Sequence, residues 1–595
     1  MTHELPARAR VVVVGGGVVG CAVAYHLTRR GLTDVVLLER ATLTSGTTWH
    51  AAGLITLARP TEGMRRIVRQ SLEVFSDLES QVGIGYSRTG TVHLAADSSR
   101  WEELKRQASA LSVEGVATQL LEPDEIVALF PLLDPAGLVG GVHYPEDGRG
   151  NATDTTLALA RVARDAGATV LEKTPVTDVI VRDGVARGVR TEIGDIEAEF
   201  VVNCTGMWGR EFGATHQARL PLQALEHYYI VTEDIPGLGS GLPTLKSSDD
   251  CAYVKDDAGK LMVGFFEPGS HPWSSSGIPG GAEFTTIPGE WDHIMPFFER
   301  MVTRIPKLAE VGIRLFFCGP ESFTPDGVYH LGEVPGVRNY LAAVGFNSVG
   351  FLSGPGAGKV IADWIVDGQA PFALVETDPR RSMSFQTNRR YLERRVTETL
   401  DLSYGIHWPY EQRESSRGIR RSPLHDKVAG AGAVFGEVAG WERANWYARD
   451  GVAPRYEYSF GRPNWFGCAA AEHEAVRTGV GMFDISSFGK LQVEGPQALA
   501  LLQRVCANDV DVAAGRIVYT QWLNERGGIE ADVTVTRLRD DQFLVLTAAS
   551  STVRDTDWLR RRTASEEVAI VTDVTSGLAM LSVMGPRSRS LLSEL

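Results

Sequence analysis

The sequence predicts an α/β unit built on a parallel sheet, extended by an antiparallel second sheet and followed by a separate α+β unit. Three observations predict it. A β-branched run at Val11–Val14 leads through a glycine turn into an apolar helical stretch and then a second apolar run at Val35–Leu38, the order of a strand–helix–strand unit. Alternating apolar segments recur between residues 176 and 266, the period of half-buried strands. Past residue 376 the chain turns polar and basic, and a new strand-rich pattern begins at Val434.

Composition narrows the class. The 595 residues are 43% hydrophobic and 22% charged, which excludes disordered, collagen-like and coiled-coil chains. At about 150 residues per domain the length suggests about four units, or fewer large ones. We place the boundaries at 1–375, 376–433 and 434–595. A net charge of -15 argues against nucleic acid or an anionic membrane as partner. The cysteines, Cys21, Cys204, Cys251, Cys318, Cys468 and Cys506, show no C-x-x-C spacing; reduced thiols in a cytoplasm and no metal site are expected. Arg8 and Arg10 precede an apolar run in the manner of a secretory signal, but glycines interrupt that run at functional spacing. No other run approaches the ~18 apolar residues of a membrane span.

The elements follow in order. Cys21–Arg30 reads as a helix closed by Gly31, and Arg65–Leu78 and Arg100–Leu111 carry helical periodicity. Val176–Thr191 alternates around Asp183-Gly184, a hairpin signal, and Phe200–Asn203 is a buried strand. Leu220–Thr232 and Ala252–Phe266 read as strands of the second, antiparallel sheet. Tyr340–Val344 leads into a glycine-rich turn and a helix around Lys359–Val366. From Glu376 to Arg421, Arg380, Arg381, Arg389, Arg390, Arg394 and Arg395 mark a connector with one charged helix, read as a solvated face. Lys490–Val493, Ile529–Val535 and Phe543–Thr547 are strands of the last unit.

Gly15-Gly16-Gly17-Val18-Val19-Gly20 fits the G-x-G-x-x-G dinucleotide fingerprint. Gly15 allows the tight turn, Gly17 lets backbone approach a pyrophosphate, and Gly20 lets the helix pack on the sheet. The helix N-terminus offers N–H groups to phosphates. Glu39, 19 residues after Gly20, stands where a carboxylate accepts ribose hydroxyls; Arg40 follows it, but Glu39 would repel a 2′-phosphate, which disfavours NADP. Two further elements point to FAD. Val201–Gly206 is a buried strand ending at a small-residue turn, with Gly206 near the adenine end; Gly345, Asn347, Ser348 and Gly350 precede a helix whose N-terminus would stabilise negative charge on a reduced flavin. Ser45 and Thr47 lie in a small hydroxyl-rich stretch after the second strand, and His50 stands among small residues that leave it free to reach a ligand.

That stretch, Thr44-Ser45-Gly46-Thr47-Thr48-Trp49-His50-Ala51-Ala52-Gly53-Leu54, resembles the dimethylglycine and sarcosine dehydrogenase/oxidase family. Gly319–Asp326, Gly432–Glu437 and Gly440–Arg443 are similar to the same family, and Met482–Ser486 and Tyr519–Asp532 to the N-terminal half of a folate-binding module like the glycine-cleavage T-protein. The resemblance covers almost the whole chain. It implies FAD held covalently through His50, and oxidation of a small N-methyl amine to an iminium, with oxygen or an electron-transfer flavoprotein as acceptor. A neutral amine is required, so a weak base near the nitrogen is expected. The resemblance implies His227, in Glu226–Val231, and more loosely Tyr253 as catalytic residues; His330 is a weaker candidate. It implies Asp532 as the carboxylate assisting one-carbon capture by tetrahydrofolate, with Tyr519 lining the pterin pocket. It also implies that the module is cut short at Leu595, which leaves folate binding open. The substrate carboxylate needs a cation, for which Lys255 is one option among many arginines. The alternatives are a different amine such as 4-methylaminobutanoate and, outside enzymes, a pyruvate dehydrogenase phosphatase regulatory-type subunit.

Overall fold

The computed structural model describes residues 5–595. The chain forms two compact units, one running to Pro379 and including Ser384–His407, the other comprising Arg380–Met383 and Trp408–Leu595. The segment 376–433 is shared between them.

The first unit starts with strand β1 (Arg8–Val14), helix α1 (Val18–Arg29) and strand β2 (Val35–Leu38). β1 pairs in parallel with β2 on one side and with Gly194–Asn203 on the other. Its valines alternate between two cores, Val11 and Val13 on one face, Val12 and Val14 on the other. A strand buried on both faces needs an unbroken apolar run, which is why the sequence shows one. Tyr340–Val344 extends the sheet in parallel beyond Gly194–Asn203. The hairpin Val176–Arg182/Val185–Thr191 turns at Asp183 (φ 51°) and Gly184 (φ 70°), the left-handed pair that a two-residue hairpin loop demands.

Helix α1 is held by the helix Gly350–Asp367. A Cβ at Gly358 would lie 2.6 Å from Ala22, and one at Gly356 only 1.9 Å from the Ile67 carbonyl in the helix Glu62–Val82. Glycine inside a helix costs about 1 kcal/mol; here it permits a backbone approach that a methyl group forbids. His26 of α1 lies buried with Nε2 3.1 Å from the Pro355 carbonyl of the same partner helix.

The second sheet has the strand order Ile313–Phe323, Gln223–Thr232, Lys260–Phe265, Ala252–Asp257, Thr244–Ser247, Thr91–Ala95, Gly140–Tyr144 and Gln119–Leu121. The stretch expected as one strand, Ala252–Phe266, is a hairpin. Ala258 (φ 48°) and Gly259 (φ 85°) reverse it after Asp257, a turn signal hidden inside a regular alternation. One face of the sheet, including Tyr228, Ile230, Leu245, Val254, Val263 and Cys318, is packed with Ile294 and Met301 of the helix Trp291–Arg304. On the other, Tyr229, Gly264, Tyr253, Lys246 and His93 are successive cross-strand partners, so they form one row across five strands.

The helix Arg389–Asp401 corrects the expectation of a solvated charged face. Leu392, Val396 and Leu400, spaced i, i+4, i+8, pack with Leu225 and Phe323 of the second sheet. Arg389, Arg390 and Arg394 are exposed on the opposite side, and their number masks the apolar stripe. The second unit contains an antiparallel sheet ordered Ile517–Leu523, Ile529–Arg539, Gln542–Thr547, Gly489–Glu494 and Ile570–Asp573. Its core gathers Leu491, Val493, Val533, Val535, Phe543 and Val545 beneath Leu501, Leu502 and Leu559.

Two outcomes are expected. Leu392→Ala should lower stability by about 2–5 kcal/mol in urea unfolding, whereas a helix with a solvated face would lose under about 0.5 kcal/mol. Burial lowers the His26 pKa from 6.5 to about 4. The unfolded chain therefore binds a proton that the folded chain does not, and stability falls as pH drops from about 6.5 toward 4. His26→Gln should flatten that part of the stability–pH curve.

Candidate functional site

A cleft of about 360 Å³ opens in the first unit, lined among others by residues of the β1–α1 turn and the end of β2. Chain geometry forces the glycines there. Gly15 takes φ 110°, and a Cβ on it would lie 2.4 Å from the Cys204 carbonyl oxygen. A Cβ on Gly20 would meet the Gly15 carbonyl at 1.9 Å, so Gly20 packs the helix against the turn and does not line the cleft. Gly17 lines the cleft at the helix entry, faced by Thr48 Oγ1, which accepts the Val18 N–H at 3.2 Å. The glycine turn, the α1 N-terminus and a carboxylate thus converge as a dinucleotide cradle.

Glu39 lies in the cleft wall, its Oε2 accepting the Gly16 N–H at 2.7 Å and its Oε1 the Ala41 N–H at 2.8 Å. Burial raises its pKa, and those two N–H groups oppose the rise. Arg40 also lines the cleft but is engaged, paired with Glu283 at 2.7 Å and stacked 5.1 Å from the Trp208 ring. Ser45 and Thr47 line it too, and the Ser45 carbonyl accepts the Phe284 N–H at 2.7 Å. Gly206 (φ 58°) and Thr205 form the wall after Gly194–Asn203.

At the other end stand Asn347, Ser348 and Gly350. Gly345 (φ 72°) sits behind them, where a Cβ would be 2.7 Å from the Thr324 side chain. Asn347 (φ 50°) donates to the Gly345 carbonyl at 2.7 Å and accepts the Thr324 N–H at 2.8 Å. Ser348 (φ 64°) donates its hydroxyl to Glu321. Left-handed backbone at two non-glycine residues costs of order 1–3 kcal/mol each and is held in place by these bonds.

Glu321 is a residue that sequence reasoning passed over inside the quoted Gly319–Asp326 stretch. It lines the cleft, and its charge bears on His50, Tyr229 and Tyr253. His50 is buried between Trp49 and Phe317, each 5.2 Å away between ring centroids. Its flanking Thr48 and Ala51 line the cleft. Burial lowers the His50 pKa, and its Nε2 has no hydrogen-bond partner among the described residues. His227 is buried edge-on to Phe266 at 4.7 Å and close enough to affect the charge of His50. Tyr253 is buried, and burial, then Tyr404, Glu321 and Tyr229, raise its pKa well above 10, so it stays a neutral hydroxyl. Its ring lies where a side chain on Gly264 would be: a Cβ there would come within 2.1 Å.

Other candidates fall elsewhere. His330 is buried with Nε2 3.2 Å from the Pro221 carbonyl, and Lys255 pairs with Asp257 at 3.6 Å. In the second unit, the Tyr519 hydroxyl donates to Asp532 at 2.9 Å, and both side chains are exposed on the sheet.

The comparisons agree with this geometry. The profile of the FAD dependent oxidoreductase family matches residues 10–364, that of the FAD dependent oxidoreductase central domain residues 367–422, and that of the GCVT N-terminal domain residues 424–595. The chain belongs to the FAD-dependent oxidoreductase family. It is 40% identical to 4-methylaminobutanoate oxidase (formaldehyde-forming) of Paenarthrobacter nicotinovorans, over 100% of this chain and 72% of that one. It is 33% identical to sarcosine dehydrogenase, mitochondrial, of Homo sapiens, over 100% of this chain and 69% of that one. The crystal structure of L-proline dehydrogenase from P. horikoshii superposes with a TM-score of 0.57 at 26% identity, over 63% of this chain and 98% of that one. As in those flavoenzymes, the fold is a mixed α/β FAD scaffold, here followed by a GCVT-like unit. The residues present fit FAD: Gly15 and Gly20 stand where a Cβ would clash with neighbouring backbone carbonyls, and the orphaned His50 nitrogen is buried next to the cleft wall. Among the described residues no helix is long and apolar enough to cross a membrane.

Gly20→Val should drive α1 off the turn. We expect a colourless protein after gel filtration, with stability reduced by about 1–3 kcal/mol; full retention of the flavin absorbance would contradict the role of this close approach.

Proposed function

We propose that this chain oxidatively removes an N-methyl group from a small N-methyl amino acid, with dimethylglycine and sarcosine as first substrates. The observation that carries the reading is the meeting of His227, His50 and Glu321 around Gly319: His227 is the cross-strand partner of Gly319, a Cβ on Gly319 would lie 3.6 Å from the His50 ring, and Glu321, two residues on, lines the cleft. Bound FAD supplies a two-electron acceptor. Gly15, Gly17, Glu39, Ser45, Thr47 and Gly206 would hold its dinucleotide part, and Gly345, Asn347, Ser348 and Gly350 the other end. His50 would tether it through Nε2, which burial keeps neutral and therefore nucleophilic.

The chain's own groups act on the amine. Glu321 and His227 orient the nitrogen and take up the proton that an ammonium must lose before its lone pair can assist departure of a methyl hydride. Tyr253, kept protonated, donates a hydrogen bond. Loss of hydride leaves an N-methylene iminium; water adds to it, and collapse gives the demethylated amine, formaldehyde and a proton. In the second unit, the Tyr519–Asp532 pair supports a role for Asp532 in passing the one-carbon unit to tetrahydrofolate. A second reading, 4-(methylamino)butanoate as substrate, is favoured by the 40% identity to an oxidase of that name.

Anaerobic titration with sarcosine, dimethylglycine and 4-(methylamino)butanoate should bleach the flavin, and readmitted air should test oxygen as acceptor against an electron-transfer flavoprotein. Formaldehyde should appear in proportion to bleaching. No bleaching with any N-methyl amine would overturn the reading, and a colourless native protein would favour a regulatory subunit. His50→Ala should make the flavin extractable by acid; flavin that stays bound after denaturation would exclude His50 as the tether. His227→Ala should slow anaerobic flavin reduction by roughly 10²-fold or more.

A further inference from the structure

Behind His227, on the face of the second sheet packed by the helix Trp291–Arg304, four ionisable side chains meet. On the strand Gln223–Thr232 the two neighbours of His227, Glu226 and Tyr228, point to that face, because successive strand residues alternate. The Tyr228 hydroxyl donates to Glu226 Oε2 at 2.8 Å. The same oxygen lies 3.7 Å from Nδ1 of His271, whose carbonyl accepts the Glu226 N–H at 3.0 Å. The His271 ring stacks on that of His293, 4.9 Å between centroids and 27° between planes. His293 stands in the first turn of the helix Trp291–Arg304, and its Nε2 lies 3.3 Å from Glu267 Oε1.

Glu267 is the costly member. It is 1% exposed, and neither of its oxygens makes a hydrogen bond. A buried carboxylate without donors costs several kcal/mol unless a cation answers it. Among the described residues His293 is its one ion-pair partner. The other groups that bear on the pair bring no further cation. They are Glu226, Glu290 at the start of the helix, Asp401, which accepts the Gly269 N–H at 2.9 Å, and the thiols of Cys251 and Cys318. Tyr228 stands 5.8 Å from the His293 ring, and Arg300, farther along the helix, bears on Cys251. Glu267 lifts the His293 pKa above 6.5 against the effect of burial.

The next residue back faces the other way. Phe266 donates its N–H to the Cys251 carbonyl at 2.9 Å, meets His227 edge-on at 4.7 Å and stacks on Tyr404 at 4.5 Å. Both partners of the His227–Phe266 contact are therefore one residue away from the charged group behind the sheet: His227 through Glu226 and Tyr228, Phe266 through Glu267.

We propose that Glu267 and His293 are positioning residues: their ion pair ties the segment after the strand Lys260–Phe265 to the helix Trp291–Arg304, fixes the Phe266 ring against His227 and so orients that imidazole toward the amine. The proposal rests on the reading that His227 acts on the amine.

The test uses the flavin-loaded protein and anaerobic stopped flow with sarcosine, dimethylglycine and 4-(methylamino)butanoate. Glu267→Gln, which keeps the shape and removes the charge, should slow the limiting rate of flavin reduction roughly tenfold. Flavin content and the Kd for the amine should stay as in the wild type. His293→Gln should do the same, and the double variant should be no slower than either single one, because the pair acts as a unit. His293→Lys keeps a cation in place. The pair is complete below the His293 pKa and is lost as pH rises through it, so the ratio of the His293→Lys rate to the wild-type rate should climb with pH above 6.5. A second readout needs no turnover: in protein labelled at histidine Cε1, the His227 resonance should move in Glu267→Gln. Reduction by Glu267→Gln at the wild-type rate, losses that multiply in the double variant, or an unmoved His227 resonance would overturn the proposal. If no amine bleaches the wild-type flavin yet the His227 resonance moves, the clamp stands and the demethylation reading falls.

Discussion

How closely α1 can approach its neighbours governs the first unit. Gly20 brings the helix onto the Gly15 carbonyl, and Gly356 and Gly358 bring the helix Gly350–Asp367 onto Ile67 and Ala22. Each contact forbids a methyl group. Together they fix the N-termini of two helices at one cleft, α1 at its glycine turn and Gly350–Asp367 at its opposite end. Helix N-termini carry partial positive charge, so the packing of glycines, an apolar matter, decides where anionic parts of a cofactor can rest. The energy given up by placing glycines in a helix is returned as backbone proximity and as position.

The second sheet divides its labour by the period of two. One face is an aliphatic and aromatic core, and the other carries His227, Tyr229, Tyr253, Lys246 and His93. Because alternation is strict, the chemistry needs no loops to present it: a rigid strand array holds the groups at fixed cross-strand intervals. Gly264 shows how finely this is tuned. Its missing side chain leaves the space that the Tyr253 ring fills, so the residue that matters for the position of Tyr253 is a glycine on the next strand.

Much of this was legible in the sequence. The β1–α1–β2 unit was, because a doubly buried strand needs an unbroken β-branched run and a close helix needs glycine at set positions. His50 and His227 were singled out by resemblance, and in the structure both lie against Gly319, two residues before Glu321. What escaped has physical reasons. The buried stripe of the helix Arg389–Asp401 is outnumbered by its arginines, although Leu392, Val396 and Leu400 keep the helical period. Glu321 was hidden because its meaning comes from Ser348, distant in sequence and brought to it by an unusual backbone turn. The Ala252–Phe266 hairpin was missed because its turn falls inside a regular alternation.

The order of the parallel sheet has a consequence for biosynthesis. β1 is made well before its partner Gly194–Asn203, and that strand's own partner, Tyr340–Val344, comes later still. The cleft also takes in Phe351, from the helix that follows. At roughly 5–20 residues per second, the ribosome spends on the order of tens of seconds between the first strand and the last. During that interval the valines of β1 lack half of their cover, and the glycine turn has nothing to close against. In a nascent chain of this topology the walls of the cleft are therefore complete only once the helix Gly350–Asp367 has left the ribosome.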